Sequence, residues 1–113
     1  MRDTQKAFHL IGNVYQSMNI YHAIYIIENT PSDFDADLIN MMHLHEYPLV
    51  YWQKNLDFIT KARIIIIPFQ NVSELNDIMD LFTLVITSKS YIYDSILQNE
   101  QYQSLTMLNF SSV

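Results

Sequence analysis

The sequence predicts an α/β domain: a three-layer α/β/α sandwich around a four- or five-stranded, mostly parallel sheet. Apolar runs recur at Ile20–Ile27 (IYHAIYII), Ile64–Ile67 (IIII) and Leu81–Ile86 (LFTLVI), and none alternates cleanly with polar residues. A strand that is apolar on both faces belongs inside a sheet covered on both sides. The segments between the runs have polar flanks and helical spacing. Strands alternating with helices call for right-handed crossovers and parallel neighbours. At 113 residues the expectation is a single domain over 1–113, long enough to bury a core without disulfides or metals.

Each element has its own justification. Residues 3–19 read as a helix capped by Asp3 or Thr4, with Ala7, Phe8, Ile11, Val14, Tyr15 and Met18 on one stripe. Gly12 costs that helix about 1 kcal/mol against alanine. Tyr21–Ile27 is the first strand, rich in β-branched and aromatic residues. Ser32 or Asp33 caps a second helix over Asp33–His45, with Phe34, Leu38, Met41 and Met42 on its inner face. Asp33 and Asp37 lie on its other side, and its early acids suit the positive end of the helix dipole. Pro48 ends that helix and Leu49–Trp52 is a short second strand. Asn55 caps a short helix from Leu56 to Lys61, and Ala62–Ile67 is the third strand, ended by Pro68. Ser73 caps a helix over Val72–Asp80 whose inner stripe is Leu75, Ile78, Met79 and Phe82. Thr83–Thr87 is the fourth strand. Ser90 caps a last helix over Tyr91–Gln98, anchored by Ile92, Ile96 and Leu97, before a fifth strand at Leu105–Phe110.

Charge and composition narrow the function. The net charge is −6, and no Lys or Arg occurs between Lys6 and Lys54. Six scattered cations make no phosphate-binding footprint, so direct nucleic-acid binding is not expected. There is no cysteine, which removes disulfides and thiolate chemistry. No apolar stretch approaches the ~20 residues of a membrane span, and the N-terminus lacks a signal-peptide apolar region. A cytoplasmic protein without a membrane association is expected. With Gly12 as the only glycine, a glycine-rich phosphate loop cannot form.

In an open parallel sheet, ligands bind outside the carboxyl ends of the strands. The ligand- or partner-binding candidates there are Glu28, Asn29, Ser32, Asp33, Asp37, Trp52, Thr87 and Ser88. Most also serve as helix caps and loop formers. Glu28 and Thr87 fit two positions of a phospho-receiver site, but Pro68 and Phe69 stand where its acceptor aspartate belongs. The acids Asp33, Asp35 and Asp37 read as a capping, solvated helix start rather than as acid–base groups. His43-Leu44-His45 has i, i+2 spacing instead of the i, i+4 of helical zinc sites, and its place at a helix C-terminus reads as dipole pairing. No catalytic residue, cofactor or metal is expected. Tyr47, Tyr51, Trp52, Phe58 and Phe69, with Tyr91, Tyr93 and Tyr102, read as core or as a partner surface.

The segments YHAIYIIENT (from Tyr21), LVYWQ (from Leu49) and DLFTLVITSKS (from Asp80) resemble the sugar-phosphotransferase IIB-like domain of Mga-type transcriptional regulators. The resemblance covers residues 20–98, with Asp80–Ser88 echoing the family's Asp-hydrophobic-Ile-Thr strand. It implies regulation by protein contact or oligomerisation. True IIB domains carry a phosphorylated cysteine after the first strand; here that loop is Glu28–Asp33, so phosphotransfer is expected to be lost. The expectation is therefore a non-enzymatic regulatory or protein-interaction module that binds a protein partner or itself. Two alternatives stand beside it: the nucleotide- or sugar-binding part of a glycosyltransferase-like α/β enzyme, and a small acidic inhibitor that mimics nucleic acid.

Overall fold

A computed structural model describes residues 3–17, 22–54 and 63–111. The elements run α1 (Thr4–Ser17), β1 (His22–Ile27), α2 (Asp33–Leu44), β2 (Leu49–Tyr51), β3 (Arg63–Pro68), a 3-10 segment (Phe69–Leu81), β4 (Leu84–Thr87), α3 (Ser90–Leu97), a 3-10 turn (Glu100–Tyr102) and β5 (Thr106–Asn109). The five strands form one all-parallel sheet in the order β2-β3-β1-β4-β5. The expected helix at Leu56–Lys61 and its Asn55 cap lie outside the described residues, as do Met18 and Tyr21.

The sheet is central because its strands are apolar on both faces. Ala23, Tyr25, Ile27, Ile64, Ile66, Leu84 and Ile86 pack with Ala7, Phe8 and Ile11 of α1 and Phe34, Leu38 and Met42 of α2. Ile24, Ile26, Ile65, Ile67 and Val85 face the other way, onto Leu75, Met79, Phe82, Ile92, Ile96 and Tyr102. Successive side chains on a strand alternate faces, so each apolar run feeds two cores at once.

The helix ends follow local chemistry. Asp3 caps α1, its carboxylate accepting from Lys6 N–H at 3.0 Å. Ser32 caps α2, accepting from Asp35 N–H at 3.3 Å. The far end of α2 closes with the paired bonds of a Schellman motif: Tyr47 N–H to Met42 C=O and Glu46 N–H to His43 C=O, both 3.0 Å. Glu46 therefore sits at φ 61°, the left-handed region usually left to glycine. Gly12 meets Tyr47, just past the C-terminal cap of α2: a Cβ there would stand 2.9 Å from the Tyr47 hydroxyl. Tyr47 in turn lies between Phe8 and Tyr15, with ring centroids 5.6 and 6.0 Å away.

Three element expectations need correction. The Val72–Asp80 helix is a longer 3-10 segment that starts at Phe69 after Pro68, without a Ser73 cap, and kinks at Ile78. Asn71, Ser73, Asn76, Asp77 and Asp80 give the segment a composition of low helix propensity. Phe82 is buried, but as an extended residue beyond that segment. Ser90 is the first residue of α3, with Lys89 preceding it and no side-chain cap; Leu97 is exposed rather than an anchor.

Candidate rim site at the carboxyl ends of the strands

The strand order creates one place where connections diverge. From β1 the chain leaves through α2 on the α1 face toward β2. From β4 it leaves through α3 on the opposite face toward β5. The carboxyl ends of the adjacent strands β1 and β4 therefore flank the switch point at which open α/β sheets form crevices.

A buried carboxylate fills that point. Asp35 is fully buried, and three hydroxyls converge on it. Tyr25 of β1 donates to Oδ1 at 2.5 Å, Ser88 donates to Oδ2 at 2.8 Å, and Ser32 reaches Oδ2 at 3.2 Å. A carboxylate has about four acceptor sites, so these donors can all be accommodated. Thr87 and Ser88 are also fully buried. Such a network satisfies the polar groups that burial would otherwise leave unpaired. It joins β1, the start of α2 and the end of β4.

Outside this knot the loops are tied to one another. Glu28, after β1, accepts from the Tyr91 hydroxyl at 3.0 Å and pairs with Lys89 at 3.6 Å. The Tyr91 ring meets Phe69 edge-on at 5.8 Å, and burial together with the Glu28 bond raises its phenol above the ordinary tyrosine range. Gln70, after β3, donates to the Asn29 side chain at 3.0 Å.

The candidates named from the sequence thus separate. Ser32 and Ser88 are brought together through Asp35, and Thr87 is buried beside them. Glu28 and Asn29 join the outer ties. Asp33 and Asp37 are exposed on α2, outside the knot. Trp52 leans on the α3-side core, its indole nitrogen buried without a hydrogen-bond partner. The reading of Asp35 as solvated is overturned: it is enclosed. Its signal was available, because Asp35 lies three and four residues before Leu38 and Ile39, on the inward stripe of α2. Tyr25 was hidden inside an apolar run.

The knot has little catalytic reach. Ser88 is fully buried, and its hydroxyl donates to a carboxylate rather than to an imidazole. His22 lies at the opposite end of β1, while His43 and His45 lie at the far end of α2. A concave surface of about 290 Å³ lies away from the rim, between α1 and the turn after α2, and is lined by Phe8, His9, Gly12, His45 and Tyr47 among others. Among the described residues, no three His, Asp or Glu side chains gather to hold a metal ion, and no helix is long and apolar enough to cross a membrane. The chain matches no protein-family model, no curated protein and no solved structure.

Proposed function

We propose that the chain is a non-enzymatic regulatory or protein-interaction module, related to the IIB-like domains of Mga-type regulators and without their phosphotransfer. One observation carries the reading: at the rim where an α/β sheet keeps its chemistry, the polar groups bond to one another. Asp35 is taken up by Tyr25, Ser32 and Ser88, Glu28 by Lys89 and Tyr91, and Asn29 by Gln70. The parallel scaffold and the Asp80–Ser88 segment, which contains β4, support the relationship. The cysteine-free Glu28–Asp33 loop supports the loss of phosphotransfer. Partners are other proteins, met through its acidic and aromatic surface, or further copies of the chain.

The test is a titration followed by amide NMR, with inorganic phosphate, sugar phosphates and nucleotide sugars as probes. No saturable shift is expected at Glu28, Asn29, Thr87 or Ser88. Saturable binding at those residues overturns the proposal in favour of a nucleotide- or sugar-binding part of a glycosyltransferase-like enzyme.

A further inference from the structure

Among the described residues, β5 and β2 are the two outer strands of the sheet, and their outer edges differ. β2 has three residues, follows Pro48 and is bracketed by Glu46 and Lys54. Proline, charge and shortness are the usual guards of an open strand. β5 has no proline and no charged side chain, and from Gln101 to Val113 the sequence carries no charge at all. In a chain of net charge −6, a second copy approaching along β5 meets no charged side chain on this stretch.

The backbone of β5 is already oriented for pairing. Thr106 N–H donates to Thr83 C=O at 3.0 Å and Phe110 N–H to Thr87 C=O at 2.8 Å. The in-between residues Met107 and Asn109 therefore turn their N–H and C=O groups away from β4. Among the described residues, β5 pairs with no other strand. The strand is also held in place: Leu108 packs on the α1/α2 core and Met107 on the α3 core.

We propose that two copies associate through β5, antiparallel about a two-fold axis at Leu108, fusing their sheets into one. Met107 then pairs with Asn109 of the second copy and Asn109 with its Met107, giving four main-chain hydrogen bonds; Leu108 faces Leu108. This names the self-association surface of the interaction module and rests on that reading.

The experiment is sedimentation equilibrium from roughly 1 µM to 1 mM, a range suited to a small, weak interface, with amide exchange measured at both ends. A monomer–dimer equilibrium is expected. Met107 and Asn109 amides exchange slowly only at high concentration, whereas Leu108 is slow throughout. Asn109→Pro removes an outward donor from each copy and weakens the dimer at least about ten-fold. Tyr51→Lys, on the opposite edge, leaves it unchanged. If Asn109→Pro fails to fold, the wild-type exchange pattern decides alone. A strict monomer, unlimited higher aggregates, or a dimer whose Met107 and Asn109 exchange ignores concentration overturns the proposal. A dimer through another surface sinks the β5 assignment and leaves the interaction-module reading standing; phosphate or sugar binding at the rim does the reverse.

Discussion

Two residues hold conformations or groups that a simpler side chain would suit better. Glu46 occupies the left-handed C′ position of α2 at φ 61°, where a Cβ is unfavourable. Glu46→Gly removes that strain but adds freedom to the unfolded chain. The net expectation is a gain of about 0.5–1 kcal/mol, read from urea unfolding. Tyr102 is buried, and its hydroxyl has no hydrogen-bond partner. An unpaired buried hydroxyl costs about 1–3 kcal/mol, so Tyr102→Phe is expected to raise the unfolding free energy by about 1 kcal/mol. Burial also raises the Tyr102 phenol above its ordinary range. Above about pH 10 the unfolded state releases this proton while the folded state keeps it. The stability tied to that phenol is thus complete below about pH 10 and falls as the pH rises through the folded value. Tyr102→Phe is expected to flatten the alkaline decline, and an unchanged slope in pH-resolved melting rules out Tyr102 as its source.

Among the elements, the contact of α1 with Tyr47 explains a glycine that helix propensity disfavours. Alanine at position 12 favours the helix by about 1 kcal/mol, yet its Cβ would stand 2.9 Å from the Tyr47 hydroxyl. Gly12→Ala is therefore expected to be close to neutral in the wild type and stabilising by about 1 kcal/mol in a Tyr47→Phe background. A two-by-two set of melting measurements tests this, and equal effects in both backgrounds refute it. The same scale shows what the sequence made legible. β1, β3 and β4 announced themselves because both faces of each are apolar, and α2 because Ser32 caps it and Phe34, Leu38 and Met42 share a stripe. Over 69–81 the spacing of Leu75 and Met79 predicts the inward face correctly, but the same spacing suits a tighter 3-10 turn, and the kink at Ile78 has no signature in it. The strand order had no local signature, since β1 meets β3 and β4 through contacts distant in sequence. The rim was located by the strand ends, but its centre was not: nothing local to Asp35 announces that Tyr25 and Ser88 will enclose it.

For the whole molecule, Asp35 is the tie between layers. Asp35→Ala is expected to cost about 1–3 kcal/mol, because it takes the acceptor away from the buried Ser88 hydroxyl and one acceptor from Tyr25. Removing those hydroxyls as well, in Asp35→Ala/Tyr25→Phe/Ser88→Ala, is expected to recover part of the loss, since the donors that lost this acceptor are then gone too. Strictly additive losses in denaturant unfolding would show that the three groups do not act as a unit. The placement of β1 has a further consequence, during synthesis. β1 takes its partners from β3 and β4, the first being Arg63 opposite His22. The strand that follows it in the chain, β2, pairs instead with β3. A ribosome adding about 5–20 residues per second needs about 2–8 s to extend the chain from His22 to Arg63. The sheet's central strand therefore has no native partner until Arg63 and the residues after it have been made, so the whole sheet closes late in synthesis.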